Sequence, residues 1–343
     1  MKNIIKIAVV LFAIAQTLYA QETTNQWTAG RPDGHAPISV MGDHYHGKGD
    51  VMFSYRFMKM NMEGLLNGTA DITNNQVHDS GYMVTPLNMP MDMHMLGVMY
   101  GVSDKITIMA MAMYIQNEMD LQMRMPTGMT NQFSTASSGF GDIKLGALYK
   151  FINAKGQSLH ANIAISIPTG SLEAKDVTPM SAPNEIQLPY PMQIGSGTFD
   201  ADLGLTYLGQ TANFSWGAQL KGTYRFGRND FDYSLGNRYN LNSWFAFKTN
   251  DWLSFSARGE VVADERVNGA NPNLNPMMVT TADTFNSGGK YINGGLGFNI
   301  YVPKGQFKNV RFGFEYAYPL FQEPNGIQLK RAETLTFGLQ YSL

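Results

Sequence analysis

Apolar and polar residues alternate along much of this chain with a period of two. Between 308 and 319, Val310, Phe312, Phe314, Tyr316 and Tyr318 alternate with Arg311, Gly313, Glu315 and Ala317. Between 330 and 343, Leu335, Phe337, Leu339, Tyr341 and Leu343 alternate with Thr334, Thr336, Gly338, Gln340 and Ser342. Between 213 and 226, Phe214, Trp216, Ala218 and Leu220 alternate with Ser215, Gln219 and Lys221. Successive side chains of a strand point to opposite faces, so each segment predicts a strand with one apolar and one polar face. The same pattern predicts strands at 50–63, 92–101, 105–116, 140–151, 157–168, 198–209, 213–226, 238–249, 252–263, 288–302, 308–319 and 330–343. The links after even-numbered strands are short, as in Gly101 to Asp104 and Thr249 to Asp251. Those after odd-numbered strands are long, as in Gln116 to Gly139 and Pro168 to Gly197. An even number of alternating segments joined by short turns and long loops in strict succession predicts an all-β, antiparallel up-and-down transmembrane barrel of about twelve strands.

The same period orders the methionines. Met58, Met60 and Met62 share one face of the first strand with Met52, Ser54 and Arg56, opposite Val51, Phe53, Tyr55 and Phe57. An arginine facing lipid near the midplane costs about 2–4 kcal/mol, so the face of Arg56 is the lumen. Met93, Met95 and Met99 follow inward on the second strand, and Met109, Met111 and Met113 on the third. Eighteen of the 23 methionines lie between 41 and 129, so overall composition does not explain the patch. Three readings fit it: packing of an irregular interior, an adaptable path for apolar or aromatic solutes, or soft ligation of Cu(I) or Ag(I). The remaining inward faces carry Lys144, Lys150, Asp200, Asp202, Lys221, Arg225, Arg258, Glu260, Arg311 and Glu315, whose mixed signs predict pairing inside a narrow lumen.

Composition narrows the setting. Charged residues make up only 15%, aromatics 12%, and the net charge of −2 leaves no basic excess for nucleic acid. Lys2 and Lys6, the apolar run Ile7 to Ile14 and the site Leu18-Tyr19-Ala20 predict a Sec signal peptide over 1–20. The domain reading is that signal, a periplasmic N-terminal segment at 21–49 and an outer-membrane barrel at 50–343. The chain has no cysteine, so an exported protein of this kind must be stable without disulfides, as a closed barrel is.

Five of the six histidines precede position 95. In Gly42-Asp43-His44-Tyr45-His46-Gly47-Lys48, His44 and His46 would share a face if extended, with His35 and His78 as neighbours. Imidazole suits Cu(II), Zn or Ni, and hydrogen-bonded histidines in a segment tucked into the barrel mouth are the alternative. His160, Asn162 and Ser166 share an inward face, but no nucleophile elbow or HExxH pattern occurs, so no enzyme is expected. The proline-rich stretches Pro179 to Pro191 and Asn271 to Pro276 fall in long loops.

The run Ala36-Pro37-Ile38-Ser39-Val40-Met41-Gly42-Asp43-His44, the segment Ser54-Tyr55-Arg56-Phe57-Met58 and the strand entry Ser137-Ser138-Gly139-Phe140-Gly141-Asp142-Ile143-Lys144 resemble outer-membrane proteins of the meta-pathway phenol-degradation family. The resemblance implies a channel for small, aromatic solutes and supplies no binding residues. The expected function is passive passage of a small solute across the bacterial outer membrane, with no cofactor and with membrane lipid and the solute as partners. The alternatives are a Cu(I) or Ag(I) binding or export barrel, and a structural barrel acting through its loops.

Overall fold

The computed structural model describes residues 26–343; the signal peptide expected at 1–20 lies outside them. Twelve strands form the wall: β1 (Val51–Asn67), β2 (Met91–Ser103), β3 (Ile106–Arg124), β4 (Ile143–Ala154), β5 (Gln157–Ile167), β6 (Phe199–Gln210), β7 (Phe214–Phe226), β8 (Arg238–Lys248), β9 (Leu253–Asp264), β10 (Gly289–Tyr301), β11 (Val310–Pro324) and β12 (Ile327–Ser342). Each pairs antiparallel with the next, and β12 returns to pair with β1, from Met52 opposite Ser342 to Asn67 opposite Ile327. Closure leaves no free edge in this ring, which is what a membrane-spanning sheet requires.

The pleat sorts the side chains as the pattern predicts. Met52 is 1% exposed and its neighbour Phe53 52%; Met95 is 4% exposed and Leu96 62%. Outward residues Leu220, Leu205, Leu241 and Val261 lie in register across β6 to β9 and form part of an apolar belt. Exposed aromatics flank the belt at both ends: Phe151, Phe214, Phe247 and Phe255 near the short turns, and Phe140, Phe199, Phe226 and Tyr239 near the long loops. This is the arrangement of interfacial girdles. A charge in the belt meets hydrocarbon, so Leu220→Arg is expected to destabilise the barrel by about 2–4 kcal/mol in urea titrations in lipid. An unchanged unfolding midpoint would mean that this face does not contact lipid.

The strands outrun their predicted bounds at the loop end. β3 continues to Arg124 and pairs over Tyr114–Arg124 with a further strand, Thr130–Phe140, where the sequence predicts a loop. At Gly141-Asp142 the chain steps, and β4 takes over the pairing with β3 across Ile106–Met111. The link expected between 319 and 330 shrinks to a tight turn, because β11 and β12 extend to Pro324 and Ile327 around Gly326, whose φ of 65° suits glycine. Beyond the bilayer thickness the outward face need not be apolar, so alternation fades there while the ladder continues. A short helix, α1 (Asn74–Asp79), with a Thr73 and Gln76 capping box, lies in the first long loop.

Candidate functional site

The N-terminal segment occupies the lumen. From Val51 the chain runs back through Gly49, hydrogen-bonded to Gly101 at the turn end of β2. It rises to Ile38–Met41 in mid-barrel and returns to the turn end at Arg31, whose guanidinium donates to the Thr211 and Ala212 carbonyls. Inward residues of the wall hold it throughout. Ser254 donates to the Pro32 carbonyl, Ser215 to Asp33 and Gln219 to Met41. Arg311 donates to the carbonyls of Ala29, Arg31 and Pro32. Ser39 donates to Glu315 at 2.8 Å, and Asn162 donates to the Gly42 carbonyl at 2.9 Å, with His160 Nε2 at 3.0 Å from the same oxygen. Gly42 reaches that position with φ +66°, and a Cβ there would meet Asn162 at 3.0 Å. Gly313 and Gly338 leave a notch for Ile38. Trp27, Ala36 and Val40 pack on Leu208 and Trp244.

Three imidazoles meet on this plug. The His35 and His44 ring centroids are 3.7 Å apart, and those of His44 and His46 are 5.0 Å apart. His44 Nδ1 lies 2.9 Å from Asp43 Oδ1, and Asp43 Oδ2 accepts from the Ala36 amide. His35 Nδ1 lies 3.0 Å from the Gln340 side-chain oxygen. Each of these partners is an acceptor, so each Nδ1 carries the proton and a neutral ring leaves Nε2 bare. The Nε2 atoms of His44 and His46 are buried and without a partner among the described residues. Burial, with the neighbouring His44, pulls His46 down to about 3, and burial with Arg311 holds His35 well below its ordinary value. Burial opposes ionisation of Asp43, but His44, the Ala36 amide and Arg56 overcome it and hold its carboxyl at about 2. The expectation that His78 would lie near is not met: it sits in α1, with Nδ1 3.0 Å from the Tyr82 carbonyl. No periodic reading of the sequence could place it, because the first long loop carries it to the opposite end.

The methionine patch divides in two by depth. Met52, Met99 and Met109 lie in one row across β1, β2 and β3, packed with Leu148 against Tyr45 of the plug. Above them Met58 faces Met93, and Met95 faces Met113, with Met111 beside Lys144. Met95 and Met111 are buried; Met58, Met60, Met62, Met93 and Met113 are partly exposed. A third methionine group was not identified from the sequence. Met119 and Met123 continue the inward face of β3 and join Met89 and Met192 in a core under the long loops. Beside this core lies an apolar cavity of about 220 Å³ lined by Met119, Leu121, Met123, Phe133, Leu188 and Met278. Continuing the period of two past Gln116 would have found Met119, Leu121 and Met123.

The inward charges pair along the wall, within a strand, between adjacent strands and between strands two apart. Lys144 and Lys221 hold Asp202 at 2.8 and 3.3 Å, and Arg225 pairs with Asp200. Arg258 joins Glu315 at 2.7 Å and Glu260 at 3.2 Å. Lys150 lies over the Tyr45 ring. Arg56 is buried near Asp43, and its Nε has no partner among the described residues. Of the inward set His160, Asn162 and Ser166, the first two clasp the plug at Gly42. Asp142, of the Ser137–Lys144 strand entry, accepts from the Gly170 and Ser196 amides and from the Ser196 hydroxyl, which ties two long-loop ends to the step between Phe140 and β4.

No family model and no curated protein matches this chain, so the meta-pathway resemblance rests on the quoted segments alone. Solved structures match it in fold. An outer membrane channel from Pseudomonas putida F1 superposes with a TM-score of 0.60 at 12% identity, covering 89% of this chain and 99% of that one. The NanC porin gives a TM-score of 0.39 at 10% identity over 86% of this chain and 99% of its own. A FadL homologue from Pseudomonas aeruginosa gives 0.40 at 10% identity over 94% and 95%. The twelve-strand ring, the girdled apolar belt and the first of these likenesses establish the fold as that of an outer-membrane β-barrel.

Proposed function

We propose that this protein is a passive outer-membrane channel for small apolar solutes of about one aromatic ring. Its long loops would face the outside, and its short turns, N-terminal plug and C-terminus the periplasm. The observation that carries the reading is the loop-end cavity lined by Met119, Leu121 and Met123, on the same inward face as Met109, Met111 and Met113. A dry apolar cavity of about 150 Å³ is known to hold benzene, so about 220 Å³ suffices for a substituted ring. Thioethers adapt to such solutes through flexible side chains and favourable sulfur–aromatic contacts. Lys144, Lys221, Arg225 and Arg258 are paired with Asp202, Asp200, Glu260 and Glu315, which weakens their pull on an ionic solute.

Methyl NMR of the folded barrel, labelled at methionine, tests this with toluene as probe. Saturable shifts at Met119, Met123 and Met278 are expected. Leu121→Trp fills the cavity and should weaken binding by at least about tenfold, the worth of one ring's burial. Shifts that Leu121→Trp leaves unchanged would remove the apolar reading. The same spectra test a soft cation: if Ag(I) binds in the lumen, Met58, Met60 and Met93 shift and the loop-end group, against which Met62 packs, does not. The partial exposure of those three thioethers is what favours this second reading.

A further inference from the structure

We infer that His35, His44 and His46 of the lumenal plug form a binding site for a divalent first-row transition ion, with Cu(II) first in affinity, and that Asp43 and Gln340 position its ligands. This stands apart from the solute reading, since it holds whether or not any solute passes the barrel.

Three observations converge. The first is proximity. One ligand atom each from His35, Asp43 and His44 lies within 4.8 Å of the others, and the ring centroids of His44 and His46 are 5.0 Å apart. The second is an unmet need. The His44 and His46 Nε2 atoms are buried with no partner among the described residues, although buried polar atoms are nearly always hydrogen-bonded. A bare imidazole nitrogen is an acceptor, and a cation satisfies several at once. The third is orientation. His44 Nδ1 faces a carboxylate and His35 Nδ1 an amide oxygen, which is the outer-shell pattern that fixes the tautomer of metal-bound histidines. Both Asp43 oxygens are already engaged, by His44 and by the Ala36 amide, which makes it a positioning residue.

The donor set selects the ion. Asp43 is the one carboxylate of the cluster, and both of its oxygens are engaged within the plug. A hard cation such as Ca²⁺ or Mg²⁺ needs several oxygen ligands and is disfavoured there. Uncharged nitrogen donors suit borderline ions, and among divalent ions Cu²⁺ is bound most tightly. A route exists: His35 and His46 line a cavity of about 300 Å³ at the turn end, between Trp27, Tyr301 and Gln340. The ion would exchange with the turn-end side without crossing the methionine rows.

The test uses the purified, folded mature protein, stripped with EDTA, dialysed free of chelator and titrated with CuSO₄ in a non-coordinating sulfonate buffer. Electron paramagnetic resonance is expected to show one Cu(II) per chain with nitrogen superhyperfine structure from imidazole. His44→Ala is expected to abolish that signal. Asp43→Asn, which keeps the shape of the plug, should weaken binding by about 10–100-fold, the usual effect of losing an outer-shell partner. His78→Ala and His94→Ala should leave it unchanged. Retention of the barrel's heat-modifiable gel mobility confirms that each variant is folded. Absence of stoichiometric binding in the wild type overturns the inference. So does binding that survives simultaneous replacement of His35, His44 and His46, or a spectrum without nitrogen ligands.

Discussion

Deleting residues 27–46 is expected to raise the thiol-labelling rate of a cysteine placed at Gln219 by roughly a thousandfold. Gln219 lies in mid-barrel, is 2% exposed and donates to the Met41 carbonyl of the plug. The chain has no cysteine of its own, so the introduced thiol reports alone. A hydrogen bond within a protein contributes on balance about 1 kcal/mol. If only four of the plug's bonds to the wall contribute fully, docking protects the lumen by about 4 kcal/mol, roughly a thousandfold in accessibility. The apolar contacts of Trp27, Ala36 and Val40 with Leu208 and Trp244 add to that. Gly338→Val approaches the same state in the full-length chain, because a Cβ at Gly338 would meet Ile38 at 2.4 Å. Its effect should be smaller, since the bonds from Arg311 and Ser254 persist. An unchanged rate after deletion would mean that the wall itself, not the plug, closes the turn end.

The wall was legible in the sequence because its rules are local. A residue's face follows from its neighbours two positions away, and one arginine, Arg56, fixed which face of β1 looks inward. The twelve strands follow from the first rule, and the inward side of Met58, Met60 and Met62 from the second. The plug was not legible, because residues 27–46 have no period and find their partners across the whole chain, as Ser39 does with Glu315, 276 positions away. Its only local signs are Ile38 and Val40, isolated among turn-forming residues, and Asp43, which reaches back to the Ala36 amide. Reading His44 and His46 as a pair with His35 beside them located the cluster, though not the means by which His35 reaches it. That approach depends on a loop closed by Asp43 and on Gln340 in β12. The resemblance segment at 137–144 is likewise explained only in three dimensions, by Asp142 fastening two loop ends.

Arg258→Ala is expected to cost about 3–5 kcal/mol of stability, the usual penalty for stranding one member of a buried ion pair. The Glu315 side chain is 1% exposed. One of its oxygens accepts from Arg258 Nε and Nη2, at 3.0 and 2.7 Å, and from the Ser39 hydroxyl. Its other oxygen has no partner among the described residues. Without Arg258 the carboxylate keeps a single neutral donor, and that donor belongs to the plug. Glu315→Ala should cost less, because Arg258 retains Glu260 at 3.2 Å and the Asn242 oxygen at 2.7 Å. Replacing both, as Arg258→Met with Glu315→Leu, should recover most of the loss, since exchanging a buried pair for apolar residues is often neutral. Urea titrations in lipid of this double variant and of its single parents, Arg258→Met and Glu315→Leu, close the cycle. Single losses that simply add in the double variant would show that the two charges do not act on one another. The asymmetry between the single variants then has a functional corollary. Loss of Arg258 leaves Ser39 as the sole donor to a buried anion and should tighten the plug's grip there, whereas loss of Glu315 releases Ser39 and loosens the plug at its highest point in the lumen.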